Sequence, residues 1–176
     1  MKKLLTLGSA LFLIAAHSNA QIEINKLLGK NSDSYGIGFG AFLQFAFPAS
    51  DAADITAEGG VVFFFEKDNS EEGIAAIPVK VGYRYTLNGT GEGFYIHPQV
   101  GYNVYGVKSE DFSGYNQDSK FHGIILGAGT GYLFYIGNTN FDIGLRYETI
   151  LANGDNVSYV GLRIAHSIFG NRRNDD

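Results

Sequence analysis

The sequence predicts an all-β protein, an antiparallel up-and-down transmembrane β-barrel of about eight strands. Three observations carry that expectation. Apolar and polar side chains alternate through one segment after another. The glycines gather on the polar side of the alternation. The segments run to about the 9–11 residues that a tilted strand needs to cross a bilayer. Ile77 to Leu87 shows the pattern best: Ile77, Val79, Val81, Tyr83, Tyr85 and Leu87 lie on one face, with Pro78, Lys80, Gly82, Arg84 and Thr86 on the other. Strict alternation over that length argues against a helix.

The other segments follow in order. Tyr35 to Phe47 sets Tyr35, Ile37, Phe39, Ala41, Leu43, Phe45 and Phe47 against Gly36, Gly38, Gly40, Phe42, Gln44 and Ala46, and Pro48 to Asp54 breaks it. Ile55 to Phe65 opposes Ile55, Ala57, Val61, Phe63 and Phe65 to Thr56, Glu58 and Gly60. Lys67 to Gly73 reads as a polar loop and Asn88 to Gly93 as a Gly-rich turn. Phe94 to Tyr105 sets Phe94, Ile96, Pro98, Val100, Tyr102 and Val104 against His97, Gln99, Gly101 and Asn103, and Val107 to Ser119 is the longest polar loop. Ile124 to Phe134 opposes Ile124, Leu126, Ala128, Tyr132 and Phe134 to Gly127, Gly129 and Gly131. Phe141 to Ile150 opposes Phe141, Ile143, Leu145 and Tyr147 to Asp142, Gly144, Arg146 and Glu148. Val157 to Phe169 closes the series, with Val160, Leu162, Ile164 and Ile168 against Tyr159, Gly161, Arg163, Ala165 and Ser167.

Residues 1–20 read as an export signal. Lys2 and Lys3 are followed by an apolar run from Leu4 to Ala16, and Ser18 and Ala20 supply the small residues of a cleavage site before Gln21. The run is too short for a transmembrane helix. Residues 21–176 then form a single barrel domain. Removing the signal takes away two lysines and no acid, so the formal charge moves from −5 to −7, which argues against nucleic acid as a partner. With Cys 0, neither a disulfide framework nor a lipidated cysteine is available.

A secreted soluble sandwich shares the alternation, with its greasy face turned inward. Glycine decides against it. On a solvated face glycine weakens the strand and packs nothing, whereas in a narrow barrel interior Arg84, Arg146 and Arg163 need small neighbours. Aromatic position agrees. With the longest loop outside, the periplasmic strand ends carry Phe45, Phe47, Tyr83, Tyr85, Phe94, Tyr132, Phe134 and Phe141, an aromatic girdle. Seven strands are clear. Bacterial barrels use even numbers, so Gln21 to Leu28 is the candidate for the eighth, although Asn25 to Leu28 also suits a helical turn.

The "IPVKVGYRY" and "FDIGLRYE" segments and the closing "YVGLRIAHSIF" resemble small outer-membrane β-barrel proteins of the OmpA/OmpX type. The resemblance implies a bacterial outer-membrane location, outer-membrane lipid as surroundings, and assembly by the barrel-insertion machinery, which reads an aromatic-ended last strand. Phe169 fits that ending, although the chain continues to Asp176.

An eight-stranded barrel has an interior that side chains fill. The inward polar set is Glu58, Lys80, Arg84, His97, Gln99, Asp142, Arg146, Glu148 and Arg163, with Glu66 near the outer rim. Charges of both signs in that space are expected to pair, which makes a plug; an ion-selective constriction is the alternative. No histidine pair has metal-ligand spacing, and no cofactor is expected. His166 and Ser167 resemble the His and Ser of outer-membrane lipid A deacylases, but adjacent strand residues face opposite sides and form no base–nucleophile pair. His122 sits at a loop edge. Acidic residues in the loops (Asp68, Glu71, Glu72, Glu110, Asp111, Asp118) show no calcium-loop spacing. The expected function is therefore a non-enzymatic barrel with a plugged lumen and a structural or surface-interaction role. A narrow channel, a barrel-borne lipid A hydrolase and a secreted soluble β-sandwich or barrel binding protein are the alternatives.

Overall fold

The structure, a computed structural model, describes residues 18–67, 73–109, 119–137, 139–152 and 156–167. The acidic loop residues named above and Phe169 lie outside them. Eight strands follow one another: β1 (Ser18–Leu28), β2 (Tyr35–Ser50), β3 (Ala53–Glu66), β4 (Gly73–Thr86), β5 (Gly93–Ser109), β6 (Ser119–Ile136), β7 (Thr139–Ala152) and β8 (Val157–Ser167). Each pairs antiparallel with the next, and β1 pairs with β8, from Asn19 against Ser167 to Leu28 against Ser158, so the sheet closes without an edge. The short turns lie at one end. The longer connections, including a 3-10 turn at Gly29–Ser32, lie at the other, which in barrels of this kind is the extracellular end.

The weak first strand forms in full. Gln21, Glu23, Asn25 and Leu27 point inward and Ile22, Ile24 and Leu28 outward, with ladders to both neighbours. The helical turn considered for Asn25 to Leu28 comes immediately after it, where Gly29 adopts a φ of 70°. Ser18, Asn19 and Ala20, read as the end of the export signal, also pair in β1.

Strands run further than the alternation suggested. β5 and β6 take in both ends of the predicted loop Val107 to Ser119, and β2 continues through Pro48 to Ser50. A register shift between Pro48 and Ser50 accommodates the proline, which has no N–H for the ladder. Pro98 on β5 opens a gap of the same origin. Gly82 pairs with Gln99 and Tyr85 with Ile96, while no pairing joins the residues between them.

The outer surface is a continuous apolar band. Val81 is 53% exposed, and Ile22, Leu43, Val79, Val100, Leu126, Leu145 and Ile164 are exposed alongside it. Soluble monomers rarely present so large a patch to water. The greasy face is the lipid face, and the soluble sandwich is set aside.

One expectation about the two faces needs correction. In the extracellular half both are apolar. Leu27, Phe42, Val62, Phe64, Ile74, Ile125, Ile150, Val157 and Tyr159 pack inside the barrel, and Tyr35, assigned to the outer face, packs against them. A register shift between Tyr35 and Gly38 turns it inward. Runs such as Val61 to Phe65 place one aromatic or aliphatic residue on each side in turn, which a search for alternation reads only in part.

Candidate functional site

The interior below that apolar layer is built from two tiers of charge. In the upper tier, Arg146 donates to both oxygens of Glu58, at 2.6 Å from Nη1 and 2.9 Å from Nη2, the bidentate arrangement that planar guanidinium favours. The same Nη1 lies 3.2 Å from Glu148 Oε1 and 3.1 Å from Glu23 Oε1. Lys80 Nζ reaches Glu58 at 2.8 Å and also donates to Glu148. Gln44 donates to Glu58 Oε2 at 3.1 Å, Gln21 accepts from Arg146 at 3.3 Å, and the Tyr159 hydroxyl donates to Glu148. The ring of Phe42 lies 4.5 Å from Lys80 Nζ and 5.4 Å from the Arg146 guanidinium, within cation–π range.

The lower tier is centred on Tyr95. Its hydroxyl donates to Asp142 Oδ1 at 2.7 Å and accepts from Arg163, whose Nη2 also binds Asp142 Oδ2 at 2.6 Å. Arg84 donates to Asp54 at 2.9 Å and to Gln44 at 3.5 Å, tying the two tiers together. His97 shares a 2.8 Å hydrogen bond with Thr56, and Gln99 is buried beside them.

The nine residues singled out as the lumen set therefore sit together in the closed interior, each less than a tenth exposed. Glu148 belongs to the upper charge tier beneath the apolar layer. Sequence reasoning underrated Glu23, Gln21, Asn25, Asp54, Tyr95 and Tyr159. The inward parity of β1 and β8 marks most of them, but the pattern of β1 is the weakest in the chain and parity alone does not reveal which inward groups meet.

The glycines opposite these groups are spacers. A Cβ on Gly40 would lie 2.7 Å from the Phe42 ring, and one on Gly144 would lie 2.5 Å from the Tyr95 hydroxyl. The large aromatic platforms exist because neighbours along the strand and across the sheet have no side chain.

On the outer face the girdle residues form a chain of ring contacts at the short-turn end. Phe94 and Tyr132 meet at 4.9 Å, Phe134 and Phe141 at 5.8 Å, and Phe141 and His166 at 5.0 Å. Phe47, Tyr83 and Tyr85 are exposed at the same end, with Phe45 partly so. Phe39, Phe63, Phe65 and Tyr105 face outward near the other end, so the aromatics are not confined to one end. His166 is exposed on the lipid face and Ser167 is buried on the inner face, so the two side chains diverge. His122 is exposed beside Tyr102. Among the described residues, no group of three or more His, Cys, Asp or Glu is placed to hold a metal ion.

A closed eight-stranded sheet, greasy outside and charged within, defines the class: a small transmembrane β-barrel of the bacterial outer-membrane type. Solved structures agree on the fold. The chain is similar to Neisserial surface protein A (NspA), with a TM-score of 0.65 and 17% identity over 85% of this chain and 93% of that one. It is similar to Ail, the attachment invasion locus protein of Yersinia pestis, with a TM-score of 0.60 and 13% identity over 85% and 97% of the two chains. The N-terminal β-barrel domain of Pseudomonas aeruginosa OprF gives a TM-score of 0.51 and 14% identity over 85% and 96%. The chain matches no protein-family model and no curated protein sequence.

Proposed function

We propose that this protein is a non-conducting, non-enzymatic outer-membrane barrel with a structural or surface-interaction role, its longer loops presented outside the cell. One observation carries the reading: the interior is filled in series by an apolar layer and by two tiers of paired charge. An ion entering from outside meets hydrocarbon first and then cations and carboxylates most of which are already paired with one another. The cost of stripping its water is repaid by neither. A barrel so filled works as a scaffold, and Ail, a neighbour in fold, is named for attachment and invasion. Conductance of the purified protein in planar bilayers tests the reading. The expectation is no steady large current; large, stable openings overturn it in favour of a narrow channel.

Export and assembly belong to the same proposal. Cleavage before Gln21 leaves β1 with its inward Gln21, Glu23, Asn25 and Leu27 intact and removes only the pairing of Ser18 to Ala20. N-terminal sequencing of the protein from membranes tests the site. Outer-membrane lipid and the barrel-insertion machinery are the partners this reading requires.

A further inference from the structure

The buried charges of the upper tier do not balance. Lys80 and Arg146 face three carboxylates, Glu23, Glu58 and Glu148. The lower tier does balance, with Arg84 and Arg163 against Asp54 and Asp142. Glu58 and Glu148 are each bound by both cations and by a further donor, Gln44 or Tyr159. Glu23 differs from both. It is 0% exposed, it meets only Arg146, and neither of its oxygens makes a hydrogen bond. A carboxylate so deep and so poorly matched is strongly disfavoured against its neutral form.

A second observation points to what completes it. Asn25, the next inward residue of β1, is 1% exposed, and both its amide atoms lack a partner. Its Oδ1 and Glu23 Oε2 stand over the same point on Gly161 of β8. A Cβ there would lie 3.5 Å from Glu23 Oε2 and would collide with Asn25 Oδ1. Both side chains reach the same glycine of the closing seam with their polar atoms unpartnered, and a hydroxyl hydrogen on Glu23 gives the two a bond to share.

The cationic groups of the other strands are largely engaged elsewhere. Lys80 of β4 is committed to Glu58 and Glu148, and the terminal nitrogens of Arg146 on β7 donate to Glu58, Glu148 and Gln21. Arg163, across the ladder from Glu23 on β8, turns its Nη2 to Asp142 and Tyr95. On β2 the nearest inward residues are Gly40 and Phe42, β5 offers His97, bonded to Thr56 of β3, and β6 offers Gly127 and Gly129.

We propose that Glu23 is a proton-binding site, held as the neutral carboxylic acid with its hydroxyl donating to Asn25 Oδ1, so that the upper tier carries no net charge. The seam between β1 and β8 that closes the barrel is then joined through a neutral pair, and the ionic network is the four-residue set Glu58, Lys80, Arg146 and Glu148.

Infrared difference spectra of the refolded protein at neutral pH test this. Wild type minus Glu23→Gln is expected to show the carbonyl stretch of a protonated acid. Glu23→Gln, which keeps shape and neutrality, is expected to hold the folding equilibrium within about threefold of wild type. Glu58→Gln and Glu148→Gln, which strand buried cations, are expected to lower it about 100-fold or more. Absence of the acid band, or a loss for Glu23→Gln as large as for Glu58→Gln, overturns the proposal. So does wild-type stability that rises when sodium replaces a bulky organic cation, because a metal ion then supplies the missing charge. Should Glu23→Gln fail to fold, carboxyl carbon signals of isotope-labelled glutamate in the wild type decide alone. A buried neutral-acid signal supports the assignment, and its absence refutes it.

Discussion

Arg146→Met is the sharpest perturbation of the interior. The arginine is 2% exposed and binds Glu58 through two hydrogen bonds, Glu148 through one and Gln21 through one, with Glu23 also in ion-pair range. Methionine keeps much of the length and none of the charge, and leaves Lys80 to serve both Glu58 and Glu148. One glutamate then lacks a counter-charge. It escapes by folding with a proton taken from solvent. At pH 7 that costs about 3.7 kcal/mol, from about 1.4 kcal/mol per pH unit and an ordinary glutamate value of about 4.3. This sets the expected loss at about 3–4 kcal/mol, in the range for removing one partner of a buried ion pair. Because the variant takes up a proton on folding, its deficit relative to wild type shrinks as pH falls, to about 1 kcal/mol at pH 5. Denaturant titrations into lipid vesicles, followed by far-ultraviolet circular dichroism because the chain has Trp 0, read both numbers. A loss below about 1 kcal/mol at pH 7, or one unchanged between pH 7 and pH 5, refutes the reasoning.

Four further outcomes follow from the two faces of the wall. Val81→Arg, on the lipid side, is expected to cost about 2–4 kcal/mol in the same vesicle titration. Gly82→Ala, one residue on, is limited by space: its Cβ would lie 2.6 Å from His97 Nε2 and 2.8 Å from Thr56 Oγ1, so the His97–Thr56 hydrogen bond has to shift. Its expected signature is a changed His97 ring signal in NMR, with a loss of about 1–3 kcal/mol. Ile125→Ala, in the sealed extracellular half, is expected to cost about 2–5 kcal/mol, read from the denaturant midpoint. Ser167→Ala is expected to leave host lipid A acylation unchanged while the protein still inserts. Mass spectrometry of lipid A from a deletion strain complemented with each version checks this, and an acyl chain removed only by wild type restores the hydrolase reading.

Most of the strands and the faces of their residues were legible in the residues alone, because side-chain direction in a strand has a period of two and needs no tertiary information. Lys80, Arg84, Arg146, Glu148 and Arg163 were legible as interior residues for that reason, and the glycines beside them as room for large neighbours. Their partners were not legible. Arg146 meets Glu58 from a separation of 88 residues, and only closure of the sheet brings β7 across from β3. Closure also decided the status of β1. A short, weakly patterned segment becomes a full strand once β2 and β8 both offer it ladders. The apolar filling of the extracellular half was hidden for the opposite reason. Where both faces are greasy the alternation disappears, and Val62, Phe64, Ile125 and Ile150 are assigned inward only by register. Period sets the face of a residue, whereas the register of a closed sheet sets which residues meet, and charge pairing depends on the second.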